Sequence, residues 1–159
     1  MRAAKPEPLW ALLRRVEPPM TSLRTLVIVL GDQLDLEAAA FDGFDPAQDA
    51  VWMAEASEES THVWSSKQRI VIFLAAMRHF AQALCAAGRP LHYTRLDDPG
   101  NRGSLAAELQ ARLPTPAPKR GVMAAPGAWR GWESLAAAGW SAGQGRERCE
   151  ERASSPTLR

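Results

Sequence analysis

Thr25-Leu-Val-Ile-Val-Leu30 runs directly into Gly31-Asp-Gln33, and this junction constrains the chain more than any other stretch of it. The six residues before the glycine are β-branched or aliphatic and carry no charge. Such a run, ended by glycine, predicts a strand buried on both faces, as in a parallel sheet. Ligands of open α/β sheets bind outside the carboxyl ends of the strands, which is where Gly31, Asp32 and Gln33 would fall. Gly31 would let a ligand approach the backbone closely, and Asp32 and Gln33 could hydrogen-bond hydroxyls or ring amides. The same three residues also suit a plain strand-to-helix turn with Asp32 as a cap. Local pattern leaves both open.

Further along, strands and helices alternate. Leu34 to Phe44 reads as a short helix or turn closed by Asp42-Gly43, and Ala50-Val-Trp-Met-Ala54 as a second buried strand. An acidic patch, Glu55, Glu58 and Glu59, follows it. Lys67 to Ala87 is the clearest helix: Ile70, Phe73, Leu74, Met77, Phe80, Ala81 and Leu84 recur at three- and four-residue spacing. Ser65 or Ser66 can cap its start and Gly88 can end it. Leu91 to Leu96 predicts a third strand, and Ser104 caps a helix carrying Leu105, Leu109 and Leu113. Gly121 to Ala124 is a weak fourth strand, and a final short helix opens at Pro126. This alternation predicts an α/β, Rossmann-like open sheet of four mostly parallel strands with helices on both faces. From Gly139 the chain is polar and without periodicity, so no fifth strand is expected and the sheet would be incomplete at the C-terminal end. The expected organisation is a disordered extension over 1–22, a folded domain over 23–138 and a disordered tail over 139–159. Met20, just ahead of the first strand, is the expected natural start.

A chain of 159 residues, 46% of them hydrophobic, suits one domain with a real core. Its net charge of +1 supplies no basic field for gripping duplex DNA, so no direct DNA binding is expected. Two cysteines, Cys85 and Cys149, are too few for a disulfide framework or a four-cysteine cluster, and Cys85 is expected to be a buried free thiol. No segment reads as a signal peptide or a transmembrane helix, so a cytoplasmic location and no membrane partner are expected.

Taken together, Leu30-Gly-Asp-Gln-Leu34, Met53-Ala-Glu-Ala-Ser-Glu-Glu59, Ala75-Ala-Met-Arg-His-Phe-Ala81, Tyr93-Thr-Arg-Leu-Asp-Asp-Pro99 and Pro126-Gly-Ala-Trp-Arg130 resemble the N-terminal domain of the cryptochrome/photolyase-related proteins. These are the iron–sulfur bacterial cryptochromes and six-four photolyases. The resemblance covers roughly Leu26 to Leu135 and is specific as a set, while each piece alone is weak. It implies an α/β antenna domain that holds a small-molecule chromophore, 6,7-dimethyl-8-ribityllumazine. It further implies that Gly31, Asp32, Gln33, Glu55, Glu59, Lys67 and Phe73 contact that chromophore. A ribityl chain needs several hydrogen-bond partners and a flat ring needs apolar packing. FAD and the iron–sulfur cluster belong to the large helical domain of full-length members, so the resemblance implies a truncated lyase expected to be inactive alone. The sequence departs from the family pattern in two places: His62, Ser65 and Ser66 stand where a Tyr and His pair is common, and Ala128 stands where Glu is usual.

Plainer roles compete for several residues. Glu55, Glu58 and Glu59 read best as a solvated loop rim rather than an acid/base pair. His62, His79 and His92 show no metal-ligand spacing. Arg78 and Arg130 are expected to pair with carboxylates or helix ends, and Trp52, Trp64, Trp129, Trp132 and Trp140 to serve packing. Three functions of different class therefore stand: a chromophore-binding module, the N-terminal piece of an interrupted enzyme, and an unrelated nucleotide-binding domain. A single glycine at 31, with no G-x-G-x-x-G, disfavours the third. A missing last strand would leave a sheet edge exposed, so self-association through that edge is expected.

Overall fold

The computed structural model describes residues 23–58, 66–112 and 118–124, and the backbone of 145–149. Within these, β1 (Thr25–Ile28), β2 (Asp49–Ala54), β3 (Leu91–Thr94), β4 (Arg120–Ala124) and β5 (Gly145–Cys149) form one sheet. Its strand order is β3-β2-β1-β4-β5, and every neighbouring pair is parallel. The chain therefore lays the central strand first, builds outward to one side, then returns to build on the other. That is the doubly wound order of nucleotide-binding α/β folds, with its reversal between β1 and β4. Helices α1 (Lys67–Ala86) and α2 (Leu105–Arg112) connect the strands.

The alternation of side chains along each strand splits the core into two layers. Val27, Val29, Val51, Met53 and Val122 face α1, which meets them with Met77, Phe80, Ala81 and Leu84. Leu26, Ile28, Ala50, Trp52 and Met123 face α2 through Leu105 and Leu109. Both β1 and β2 are buried along their whole length, as the uncharged run at Thr25 predicts. The helices thus cover opposite faces of the sheet.

Local signals account for most element ends. Ser66 caps α1 by accepting from the Arg69 N–H, and Gly88, at φ +70°, ends it in a conformation that costs other residues more. The Ser104 hydroxyl accepts from the Ala107 N–H at 3.1 Å and so caps α2. The segment after β1 holds one 3-10 turn, Ala39–Phe41, stacked under Arg89, whose guanidinium lies 4.1 Å from the Phe41 ring centre. At the other end of β1 and β2, Asp49 is buried and ties the strands together. It accepts from the Arg24 side chain, from the Thr25 N–H at 3.0 Å and from the Asp45 N–H at 2.8 Å.

Two expectations need correction. A fifth strand does follow: Gly145–Cys149 pairs in parallel with β4 within the stretch expected to be disordered. Its sequence, Gly-Arg-Glu-Arg-Cys, has no apolar run to signal a strand, but edge strands are held by backbone pairing and commonly carry charge. Second, α1 is long and apolar enough, by length and composition, to cross a membrane. Its apolar content serves the sheet contact and also leaves Val71 and Ile72 exposed, at 64% and 69% of their surface. The expectations for 1–22, Glu59, His62, Ser65, Leu113 and the helix from Pro126 lie outside the described residues. So do those for Trp64, Ala128, Trp129, Arg130, Trp132 and Trp140.

Candidate functional site

Strand order reverses between β1 and β4, and in folds of this kind ligands bind in the crevice outside the carboxyl ends of the strands at such a point. β1 continues through the buried Val29 and Leu30 into Gly31, and the Gln33 N–H donates to the Leu30 carbonyl at 3.0 Å to close a tight turn. Asp32 stands exposed at the tip of this turn, while Gln33 is buried. Both of the polar residues expected at the strand end are thus where the sequence puts them. They differ in exposure: Asp32 is exposed and Gln33 is buried.

Phe73 comes to the same place from the second turn of α1. A Cβ built on Gly31 would lie 2.8 and 2.9 Å from Cε2 and Cε1 of the Phe73 ring, and closer still to Cζ. Gly31 does not adopt a positive φ, so its bareness answers to the neighbouring ring rather than to backbone conformation. Phe73 is half-buried and packed against the α1-side core. Lys67 begins α1 and is exposed.

Glu55 departs from its expected role. It directly follows β2 and is buried, not part of a solvated rim. Its Oε1 accepts from Arg78 Nε at 2.7 Å and from the Tyr93 hydroxyl. Its Oε2 accepts from Arg78 Nη2 at 2.9 Å and from the Leu96 N–H at 2.8 Å. Burial on its own would raise the pKa of this carboxyl, but the Arg78, Tyr93 and Leu96 hydrogen bonds outweigh it and leave it below the usual carboxylate range. The same network holds the Tyr93 hydroxyl well above its ordinary value, first through burial and then through its bond to Glu55. Four donors saturate the carboxylate, so Glu55 fastens β2, β3 and α1 to one another instead of reaching a ligand.

The loop after β3 is built on the same carboxyl ends. Asn101 donates through its amide to the carbonyls of Glu55 and Arg95, at 2.7 and 2.8 Å, and accepts from the Gly103 N–H. Arg95 and Arg78 both pair with the exposed Asp97. Sequence reasoning did not single out Asn101 or Tyr93 as site-shaping residues. The turn cluster Asp97 to Asn101 was the available signal for the first, and no local signal marked the second. Among the described residues no group of three or more His, Cys, Asp or Glu could hold a metal ion. Cys85 is half-buried, and burial raises its thiol above the ordinary value, as for an inert core cysteine.

A wholly parallel sheet in this strand order, with helices on both faces, defines a doubly wound, Rossmann-like α/β domain. Residues 27–147 match the family model for deoxyribodipyrimidine photo-lyase-related protein. The chain belongs to that family. It is also 40% identical over 105 residues to a protein named (6-4) photolyase from Agrobacterium fabrum. That match takes in 66% of this chain and 21% of the relative, so the chain spans about a fifth of the relative's length.

Proposed function

We propose that this chain is the chromophore-binding antenna domain of a photo-lyase-related protein and holds a flat, polyhydroxylated small molecule of the lumazine class. The observation that carries the proposal is the meeting of Asp32, Gln33 and Phe73 at the β1 end of the switch-point crevice. These groups fit 6,7-dimethyl-8-ribityllumazine: Asp32 and Gln33 offer hydrogen bonds to hydroxyls and ring amides, and Phe73 offers an aromatic face. Lys67 at the start of α1 and Glu59 complete the set that the family resemblance suggests. Glu55 is left out, because its oxygens are already taken.

When bound, such a chromophore supplies light absorption. The residues of this chain bind it, orient its ring and shield one face from water, and no bond-breaking step is assigned to them. Two cysteines cannot furnish the four thiolates of an iron–sulfur cluster, so cluster and flavin chemistry is assigned to the remainder of a full-length family member. Fluorescence titration of the 159-residue chain with 6,7-dimethyl-8-ribityllumazine tests the proposal directly. Saturable binding at one equivalent supports it, and a linear, non-saturating response refutes it.

A further inference from the structure

We propose that Gly31 is a positioning residue that acts through Phe73: its missing side chain seats the Phe73 ring against the end of β1 and so fixes one wall of the crevice. The proposal rests on the antenna reading given above and adds to it a cause for the glycine. A glycine at a strand end ordinarily serves either a positive φ or the close approach of a ligand. Gly31 shows no positive φ. The space where its Cβ would stand is filled by Cζ, Cε1 and Cε2 of Phe73, not left open to a ligand.

A side chain at residue 31 needs the ring to move. Contacts under 3 Å are essentially never made by real Cβ atoms, so even a methyl group at residue 31 must push the ring aside. Phe73 sits on α1 a turn before the buried Met77 and packs against the core on that side, so its Cα is fixed and only its side-chain torsions can move. A displaced ring would swing toward the crevice and take up volume there. Gly31 and Phe73 therefore define a single wall, and neither can be changed independently.

A double-mutant cycle in the full chain tests this, using Gly31→Ala, Phe73→Leu and the two combined. Leu lacks the atoms that a Cβ on residue 31 would strike. Affinity for 6,7-dimethyl-8-ribityllumazine is read by fluorescence titration, and thermal melting by circular dichroism runs in parallel. Gly31→Ala is expected to weaken binding at least tenfold and to lower the melting temperature. Adding Phe73→Leu is expected to restore the melting temperature and to weaken binding no further than Phe73→Leu does alone. Losses that simply add, in either readout, overturn the proposal while leaving the antenna reading intact. If Gly31→Ala does not fold, recovery of folding by the second substitution supports the proposal, and failure to recover overturns it. Absence of saturable binding by the unaltered chain overturns the antenna reading, and this proposal with it.

Discussion

Arg78 grips Glu55 through two nitrogens, Nε at 2.7 Å and Nη2 at 2.9 Å, and thereby bolts the middle of α1 to the end of β2. The geometry is bidentate, and the carboxylate is fully buried while the guanidinium is 37% exposed. A buried anion held this way depends heavily on its partner, because the protein has already removed its water.

Arg78→Met should therefore destabilise the fold by about 3 kcal/mol, the low end for a broken buried pair, since Arg78 keeps contact with water. Urea denaturation would read this as a lower midpoint at unchanged slope. A midpoint within error of the unaltered chain would show that Tyr93 and Leu96 suffice to hold the carboxylate.

Acid should undo the fold at the carboxylates. Asp49 and Glu55 both have pKa values held below the ordinary carboxylate range: burial pushes each up, but the hydrogen bonds from Arg24, Asp45 and Thr25 to Asp49, and from Arg78, Tyr93 and Leu96 to Glu55, pull them further down. A depressed carboxyl contributes stability that is whole above its unfolded value, about 4, and is lost as pH falls through the lower folded value. Melting temperature should hold level from neutrality to about pH 5 and drop below about pH 4. Asp49→Asn should lower the plateau and flatten the acid limb. An acid limb unchanged by that substitution would move the dependence to other groups.

Asp32→Ala should weaken lumazine binding about tenfold, since one or two hydrogen bonds at roughly 0.5–1.5 kcal/mol each are lost and 1.4 kcal/mol corresponds to that factor. Asp32 is exposed, so the melting temperature should scarcely change. Equal affinity in both proteins would place the ligand elsewhere.

Val71 and Ile72 stand largely in water on the outer side of α1. Replacing both with Lys should alter stability by no more than about 0.5 kcal/mol and raise solubility by breaking an exposed apolar patch. Sedimentation at high concentration would register the change as less self-association. A marked fall in melting temperature would mean that the two side chains are covered in solution.

The parts of the fold that were legible in the sequence are those written in local pattern. The uncharged run at Thr25 and the spaced apolar residues from Ile70 to Leu84 specify β1 and α1 because burial repeats with the geometry of each element. Ser66, Gly88 and Ser104 mark helix ends through side-chain and backbone preferences that need no partner far away. β5 was not legible, because an edge strand is selected by an open neighbour rather than by its own apolar content. Glu55 was misjudged for a related reason. An acidic residue next to Ser57 and Glu58 looks solvated until Arg78, 23 positions later, and Tyr93, 38 positions later, are seen to converge on it. Gly31 was expected to leave room for a ligand, and the ring that stands in its empty space comes from α1, more than forty residues later.

Among the described strands, the one that the ribosome delivers first ends in the middle of the sheet. β2 reaches one side of β1 within a short stretch of chain, but β4, the neighbour on the other side, arrives about ninety residues later. At roughly 5–20 residues per second, that leaves the inner flank of β1 open for about 5–18 s. During this interval the most water-averse segment of the molecule displays a row of unmatched amide and carbonyl groups to whatever is nearby. Nascent chains sitting close together on one message would be at greatest risk of joining through that flank, and its natural guardians are the chaperones that meet polypeptides as they emerge.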